Sequence, residues 1–338
     1  NDYRFTTPDA PDGWIRQRIT SDPFMTDVHF VSNSVGYAMG GGDVFKTTDG
    51  GVTWINSTGN ITGSMAAVSF VNANIGVVGG ANIYRTTNGG SAWAQVTNDG
   101  VNTFSLRMVS SLIGYAVGEQ GTIRKTTDGG QGWNIQQSNV SVALRSVSFT
   151  DALNGYAVGH FGTILKTTNG GLAWTNLTNA SLGWLYGSAF VNLSVGVVVG
   201  SNGVVYRTTD GGTTWLNVYS AGTQLFDAQF MDVANGIVVG ANGTILRTSD
   251  AGQTWTSQAS GTFNWLRAVS FPSLSVGTIV GENGTVLHVD PTGTAPIAIT
   301  GQATDITTSS AVLRSGVNPG GTIATAYFKW DTISTYLN

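Results

Sequence analysis

Side chains able to do chemistry are scarce in this 338-residue chain: charged residues make up 10% of it, against about 25% in an average soluble protein. Each candidate can therefore be weighed singly. The two glutamates, Glu119 and Glu282, follow Gly118 and Gly281 in turn-like sequence. The three histidines, His29, His160 and His288, have no neighbouring ligand in sequence, and cysteine is absent. Thiolate metal sites and disulfides are thereby excluded, and the pattern implies no metal and no cofactor. Asp27 and Asp227 share a local context, so they could form a paired-carboxylate hydrolase site; the alternative is that they line a wet channel. A net charge of -4 gives no basic field to collect phosphates, which argues against a nucleic-acid partner. No apolar run is long enough for a membrane-spanning helix.

The elements that would hold these groups announce themselves by repetition. Trp14, Trp54, Trp93, Trp133, Trp174, Trp215 and Trp255 recur every 39 to 41 residues. Six of them close a run such as Thr47-Thr48-Asp49-Gly50-Gly51-Val52-Thr53-Trp54. Upstream stand glycines four apart, from Gly36/Gly40 to a seventh pair, Gly277/Gly281, that no tryptophan follows. Four short strands per period, with Asn-Gly turns at Asn202-Gly203, Asn242-Gly243 and Asn283-Gly284, predict propeller blades. The tryptophan missing from the last period is Trp14, so a strand over Trp14–Ile19 should complete the seventh blade. The expected fold is an all-β, seven-bladed propeller over residues 1–292. Asp49, Asn88, Asp128, Asn169, Asp210 and Asp250 repeat around such a ring and so form no single active site; they read as turn formers. Lys46, Arg85, Lys125, Lys166, Arg207 and Arg247 are equally regular and read as pairing or stem-packing elements.

One ring of positions escapes the repetition. Four residues before the conserved-in-repeat Phe30, Phe70, Phe149, Phe190, Phe230 and Phe271 stand Thr26, Ala66, Arg145, Tyr186, Phe226 and Arg267. The third repeat lacks the Phe, and a Leu-Arg match places Arg107 in the set. Phe24, Trp184 and Trp265 lie two residues earlier again. Bulky and charged residues at equivalent strand ends suit a face adapted to a ligand, so Arg107, Arg145, Tyr186, Phe226, Arg267, Trp184 and Trp265 are the candidate binding residues.

The block Gly155–Gly171, Gly-Tyr-Ala-Val-Gly followed by Gly-Thr-Ile-Leu-Lys-Thr-Thr-Asn-Gly-Gly, resembles the photosystem II stability/assembly factor-like repeat. That repeat is a branch of the Asp-box propellers, and the resemblance covers roughly residues 7–290. It implies a non-catalytic, protein-binding propeller whose relatives hold a client on a basic patch of one face. Sialidases of the wider group use an arginine triad, a Tyr/Glu nucleophile pair and an Arg-Ile-Pro motif. Trp14-Ile15-Arg16 does not match that motif, and both glutamates sit in turns.

After Asp290 the period stops. Residues 293–338, with Val317-Asn318-Pro319-Gly320-Gly321 and the alternating Ala324–Asp331, resemble part of a fibronectin type III-like sandwich, a fold that needs about 100 residues. The chain is thus expected to be a secreted or cell-surface bacterial protein with its signal peptide removed and a protein partner. A glycan-binding or glycoside-hydrolase-like propeller, and a structural subunit self-assembling through the C-terminal segment, are the other readings.

Overall fold

The computed structural model describes residues 4–5, 14–19, 23–289, 297–300, 315–318 and 326–327. Seven four-stranded antiparallel sheets form the blades of a closed propeller. Their inner strands are Met25–Phe30, Met65–Phe70, Thr103–Met108, Leu144–Phe149, Leu185–Phe190, Leu225–Phe230 and Leu266–Ser270, and each packs against the inner strand of the next blade, the last against the first. The paired glycines bound every second strand, from Gly36–Gly40 to Gly277–Gly281.

Those glycines are required by contact. A Cβ on Gly36 would lie 2.6 Å from the Phe30 ring, and one on Gly155 2.5 Å from Phe149. At the far end of the strand, a Cβ on Gly118 would run into the Asn102 carbonyl, and one on Gly200 into that of Trp184. The missing side chains let the Phe lie flat across its own sheet. The blade's tryptophan then meets its edge, as in Phe149–Trp174 at 6.1 Å and 88°. The preceding blade's tyrosine stacks on the other side, as in Tyr115–Phe149 at 3.7 Å. At the Tyr37–Phe70, Tyr115–Phe149 and Tyr156–Phe190 seams aromatic contacts therefore run through a blade and into its neighbour.

A polar clamp reinforces the same seam. Lys46 donates to the carbonyl of Gly89, Arg85 to Gly129, Lys125 to Gly170, Lys166 to Gly211 and Arg207 to Ala251. Each base thus holds the Asp-box turn of the following blade, so the second ring of bases joins blades rather than pairing within them. Arg247 departs from the pattern: it bonds Gln258 and lies over the Trp14 and Phe271 rings.

Ring closure follows the sequence expectation. Ile15–Arg18 pairs antiparallel with Thr285–Val289 as the fourth strand of the last blade. Trp14 is 1% exposed and meets Phe271 edge-on at 6.1 Å. The Asn-Gly turns are less uniform than expected. Asn242-Gly243 and Asn283-Gly284 have positive φ at both residues, whereas at Asn202-Gly203 only the glycine does. In the C-terminal segment Ile297–Thr300 pairs with Ser315–Asn318, and Ala326–Tyr327 pairs with Arg4–Phe5. The rest of the expected sandwich, and the expected boundary at residue 293, lie outside the described residues.

Two outcomes test this packing. Trp174→Ala should lower unfolding free energy by about 3–5 kcal/mol, the usual cost of emptying an aromatic core site; an unchanged denaturation midpoint would contradict it. Deleting residues 1–20 should lower the melting temperature more than deleting 295–338, because only the first removes a blade strand.

Candidate functional site

The inner strands of all seven blades share one irregularity, and it builds the site. Between Met25 and Asp27 the pairing with the second strand skips a residue, and the same skip recurs at 65/67, 103/105, 144/146, 185/187, 225/227 and 266/268. The unpaired bulge residues are Thr26, Ala66, Phe104, Arg145, Tyr186, Phe226 and Arg267. A bulge takes its side chain out of the alternation of the strand and re-aims it. The positions that break the sequence repeat are thus the ones whose side chains are released from the sheet, at one mouth of the central channel.

Arg107 is the exception and a correction. Met108 pairs with Gly114 as Phe149 does with Gly155. Met108 therefore replaces the missing Phe, and Phe104 is the bulge residue. The Leu-Arg match is off by three positions; counting ten residues back from the first glycine of each pair finds Phe104. Arg107 instead projects into the channel below the mouth.

The bulge residues are not spread evenly. Blades three to seven contribute Phe104, Arg145, Tyr186, Phe226 and Arg267, while blades one and two contribute only Thr26 and Ala66. These residues border a basin of about 440 Å³ that also includes Phe24, His160, Trp184, Asp27 and Asp227. Arg145 lies 4.3 Å above the Phe104 ring and 6.0 Å from that of Tyr186. Arg267 lies 4.2 Å from Phe226, 4.7 Å from Trp265 and 4.7 Å from Phe24. Phe226 bridges Tyr186 at 5.9 Å and Trp265 at 5.5 Å. Every predicted face residue except Arg107 joins this belt or its rim.

The two arginines differ in their free charge. Arg267 donates to Glu282 at 3.2 Å. Arg145 has no hydrogen bond or ion pair among the described residues and is held only by ring faces. Burial, the largest cause, lowers the pKa of Arg145, the nearby Tyr186 opposes this, and Arg267 adds to it. Arg145 thus keeps all its donors free, whereas Arg267 commits one to Glu282.

The sequence reading missed a second cluster. His160 stacks on Trp184 at 4.2 Å, and Phe161 meets Trp184 edge-on at 5.9 Å. Phe161 is 58% exposed and holds φ 57°, a left-handed conformation costly for a bulky side chain. It occupies the place taken by Asn242 and Asn283 in other blades. A bulky aromatic in an Asn-Gly turn slot is the signal that could have found it.

Below the basin the channel encloses about 240 Å³ and includes Asp27, His29, Arg107, Asp227, Gln229 and several serines. Asp27 accepts from the amides of Val28 and, in the next blade, Val68, both at 2.8 Å. Asp227 does the same with Ala228 at 2.8 Å and Val269 at 3.0 Å. Ser69 and Ser270 accept from the amides of Met108 and Phe30 in their following blades. The conceivable catalytic pair therefore stitches blades together, each carboxylate engaging two amides. Burial pushes Asp27 up to about 7, with amide bonds opposing and Asp227 adding. Burial likewise pushes Asp227 up to about 6. Burial, aided by Arg107, lowers His29 to about 3.

The repeated Asp-box side chains are turn locks. Asp210 accepts the hydroxyl and amide of Thr214 and the hydroxyl of Thr208, which hold it down to about 2. Asn88 and Asn169 stand where the residue four positions on is alanine, Ala92 or Ala173, so the second carboxylate oxygen has no hydroxyl to accept. Among the described residues no cluster of three metal-ligating side chains occurs.

Against known proteins, the family model described as photosynthesis system II assembly factor YCF48 matches residues 9–102, 100–216 and 217–300. The chain belongs to this family. No curated protein matches the sequence. Among solved structures, this YCF48-family chain superposes on "YCF48 bound to D1 peptide" with a TM-score of 0.71, 20% identity, and coverage of 82% of this chain and 97% of that one. It also superposes on YCF48 from Cyanidioschyzon merolae, with a TM-score of 0.68, 19% identity, and coverage of 82% and 99%. The WD40 propeller of Doa1, at 0.67, 14% identity, and coverage of 83% and 96%, shares the fold alone.

The channel groups set a pH test for this member of the YCF48 family. Asp27 binds its proton more tightly folded than unfolded, so its share of stability grows as pH falls through 7. His29 binds its proton less tightly folded, so its share is lost as pH falls below 6.5. Relative to wild type, Asp27→Asn should lose stability and His29→Gln should gain it between pH 7.5 and pH 5, measured by chemical denaturation. Parallel profiles for all three proteins would show that neither group is enclosed as described.

Proposed function

We propose that this propeller is a non-catalytic protein-interaction module that holds a polypeptide segment in the basin at the bulge mouth of the ring. The observation that carries the reading is Arg145: a guanidinium clamped between aromatic faces, with its donors unused, in a basin walled by aromatic side chains. Arginine and aromatic residues in a partly desolvated pocket are the usual anchors of protein interfaces. The free donors suit a carboxylate, and the rings suit the apolar side chains beside it. The relative solved as "YCF48 bound to D1 peptide" supports a peptide as the kind of partner. Asp27 and Asp227, engaged in blade seams, leave the basin without an evident acid–base pair, which supports a binding role over hydrolysis. We extend the reading to a location outside the cell or at its surface, which suits an exterior built from uncharged polar residues.

A displayed peptide library selected on the full chain tests this. Selected peptides should carry an acidic or terminal carboxylate beside apolar residues. Their affinity should fall about 10- to 100-fold in Arg145→Glu and in Tyr186→Ala, with melting temperatures recorded to confirm folding. Selected peptides that bind both variants as they bind wild type would move the site elsewhere. Selection of glycans instead, on an array probed in parallel, would favour the lectin reading.

A further inference from the structure

The channel beneath the basin contains groups that neither the blade seams nor the binding mouth uses up. Arg107 stands on an inner strand, is exposed to the channel, and has no hydrogen-bond partner among the described residues. Its equivalents in the other blades, His29, Ser69, Ser148, Ala189, Gln229 and Ser270, are small or uncharged, and Ser69, Gln229 and Ser270 accept an amide from the next blade. Arg107 makes no such bond. Arg107 is exposed within the channel, so all five guanidinium donors face the open volume and are free to meet a ligand.

Opposite charge lies nearby but does not reach it. Asp27 and Asp227 sit two residues closer to the mouth on their strands, about 7 Å along the channel. Both lower the cost of charging Arg107 through space. Neither forms an ion pair with it: among the described residues the ion pairs are Arg124–Asp99 and Arg267–Glu282. Each carboxylate oxygen accepts one amide and keeps a lone pair for the channel. The carboxylates and the guanidinium thus face one open volume, the carboxylates nearer the mouth. That volume is about 240 Å³, far above the 10–15 Å³ one water needs. It is reached from the basin past Asp27, Ser105, Ser146 and Asp227, which line both spaces.

From this geometry we infer that the channel is a binding site for a small zwitterion of the amino-acid class, its ammonium on Asp27 and Asp227 and its carboxylate on Arg107. Such a ligand meets both charges at once. A simple cation would engage the carboxylates alone, and a simple anion would meet the carboxylates first. Serine hydroxyls at positions 105, 146, 148 and 188 line the walls and can bond either end. The site adjoins the polypeptide basin and shares Asp27 and Asp227 with it, but Arg107 lines the channel only, and the test uses neither a polypeptide nor the rim residues.

The test is a thermal-melt titration of the full chain with glycine, β-alanine, 4-aminobutyrate and 5-aminopentanoate, alongside n-butylammonium and butyrate as half-ligands. A ligand that binds only the folded state raises the melting temperature saturably. At least one chain length should bind 10-fold or more tighter than either half-ligand. Arg107→Met should weaken that zwitterion at least 10-fold while leaving n-butylammonium equal or tighter. Asp227→Asn should weaken both. The aspartates also hold seams and their variants risk misfolding, so Arg107→Met, which removes no hydrogen bond, decides alone. The inference is overturned if no chain length gives a saturable shift, if the zwitterion binds no better than its halves, or if Arg107→Met binds it as wild type does.

Discussion

The seam between adjacent blades is where this molecule concentrates its specific interactions. A single four-stranded sheet of this size cannot bury both its faces, so each blade depends on the next. At three seams the contact is a short relay: a tyrosine of one blade lies flat on the phenylalanine of the next, whose own tryptophan meets that phenylalanine edge-on; elsewhere an aliphatic side chain or Thr278 takes the tyrosine's place. Glycines beneath the phenylalanine make room for it, and a lysine or arginine from the preceding blade caps the following turn. Closure then requires the N-terminal strand to enter the last blade, since a ring with one edge strand missing would expose unpaired backbone.

The same seam explains the chemistry of the channel. Inner-strand side chains that could have been catalytic are used to accept amides across the gap between blades. Asp27 and Asp227 perform the task that serines perform elsewhere in the ring, and burial raises their pKa values as a consequence. A perturbed carboxylate in a cleft is often a catalytic signature; here the hydrogen-bond partners identify a structural origin. Arg107 has no such seam bond, which is why it invites a ligand.

The proposed binding residues are concentrated where repetition is interrupted. The bulge recurs in all seven blades, so it belongs to the scaffold, but the residue placed on it is free to vary. Five adjacent blades carry aromatic or arginine side chains there and two carry Thr26 and Ala66, which converts a seven-fold ring into a one-sided basin. Phe161, held in a strained turn conformation beside His160 and Trp184, extends that asymmetry to the rim.

How much of this was legible in the sequence depends on range. The blade count, the strand order within each blade, the paired glycines, the Asp-box turns and the displaced Trp14 are local or strictly periodic features, and period alone specifies them. Arg145, Tyr186, Phe226 and Arg267 could be singled out because they break the period. The reason they do so, a bulge that turns the side chain toward the mouth, depends on hydrogen-bond register between strands and cannot be read from residue types. Arg107 was misplaced for a different reason: Met108 stands in for phenylalanine, and the constant spacing to the glycine pair, not the residue type, carries the alignment. The seam partners of Asp27, Asp227 and the ring of bases come from residues about 40 positions away. Sequence set the repeating unit because its physics is local; tertiary structure decided which side chains face the channel, because that follows from how neighbouring units close against one another.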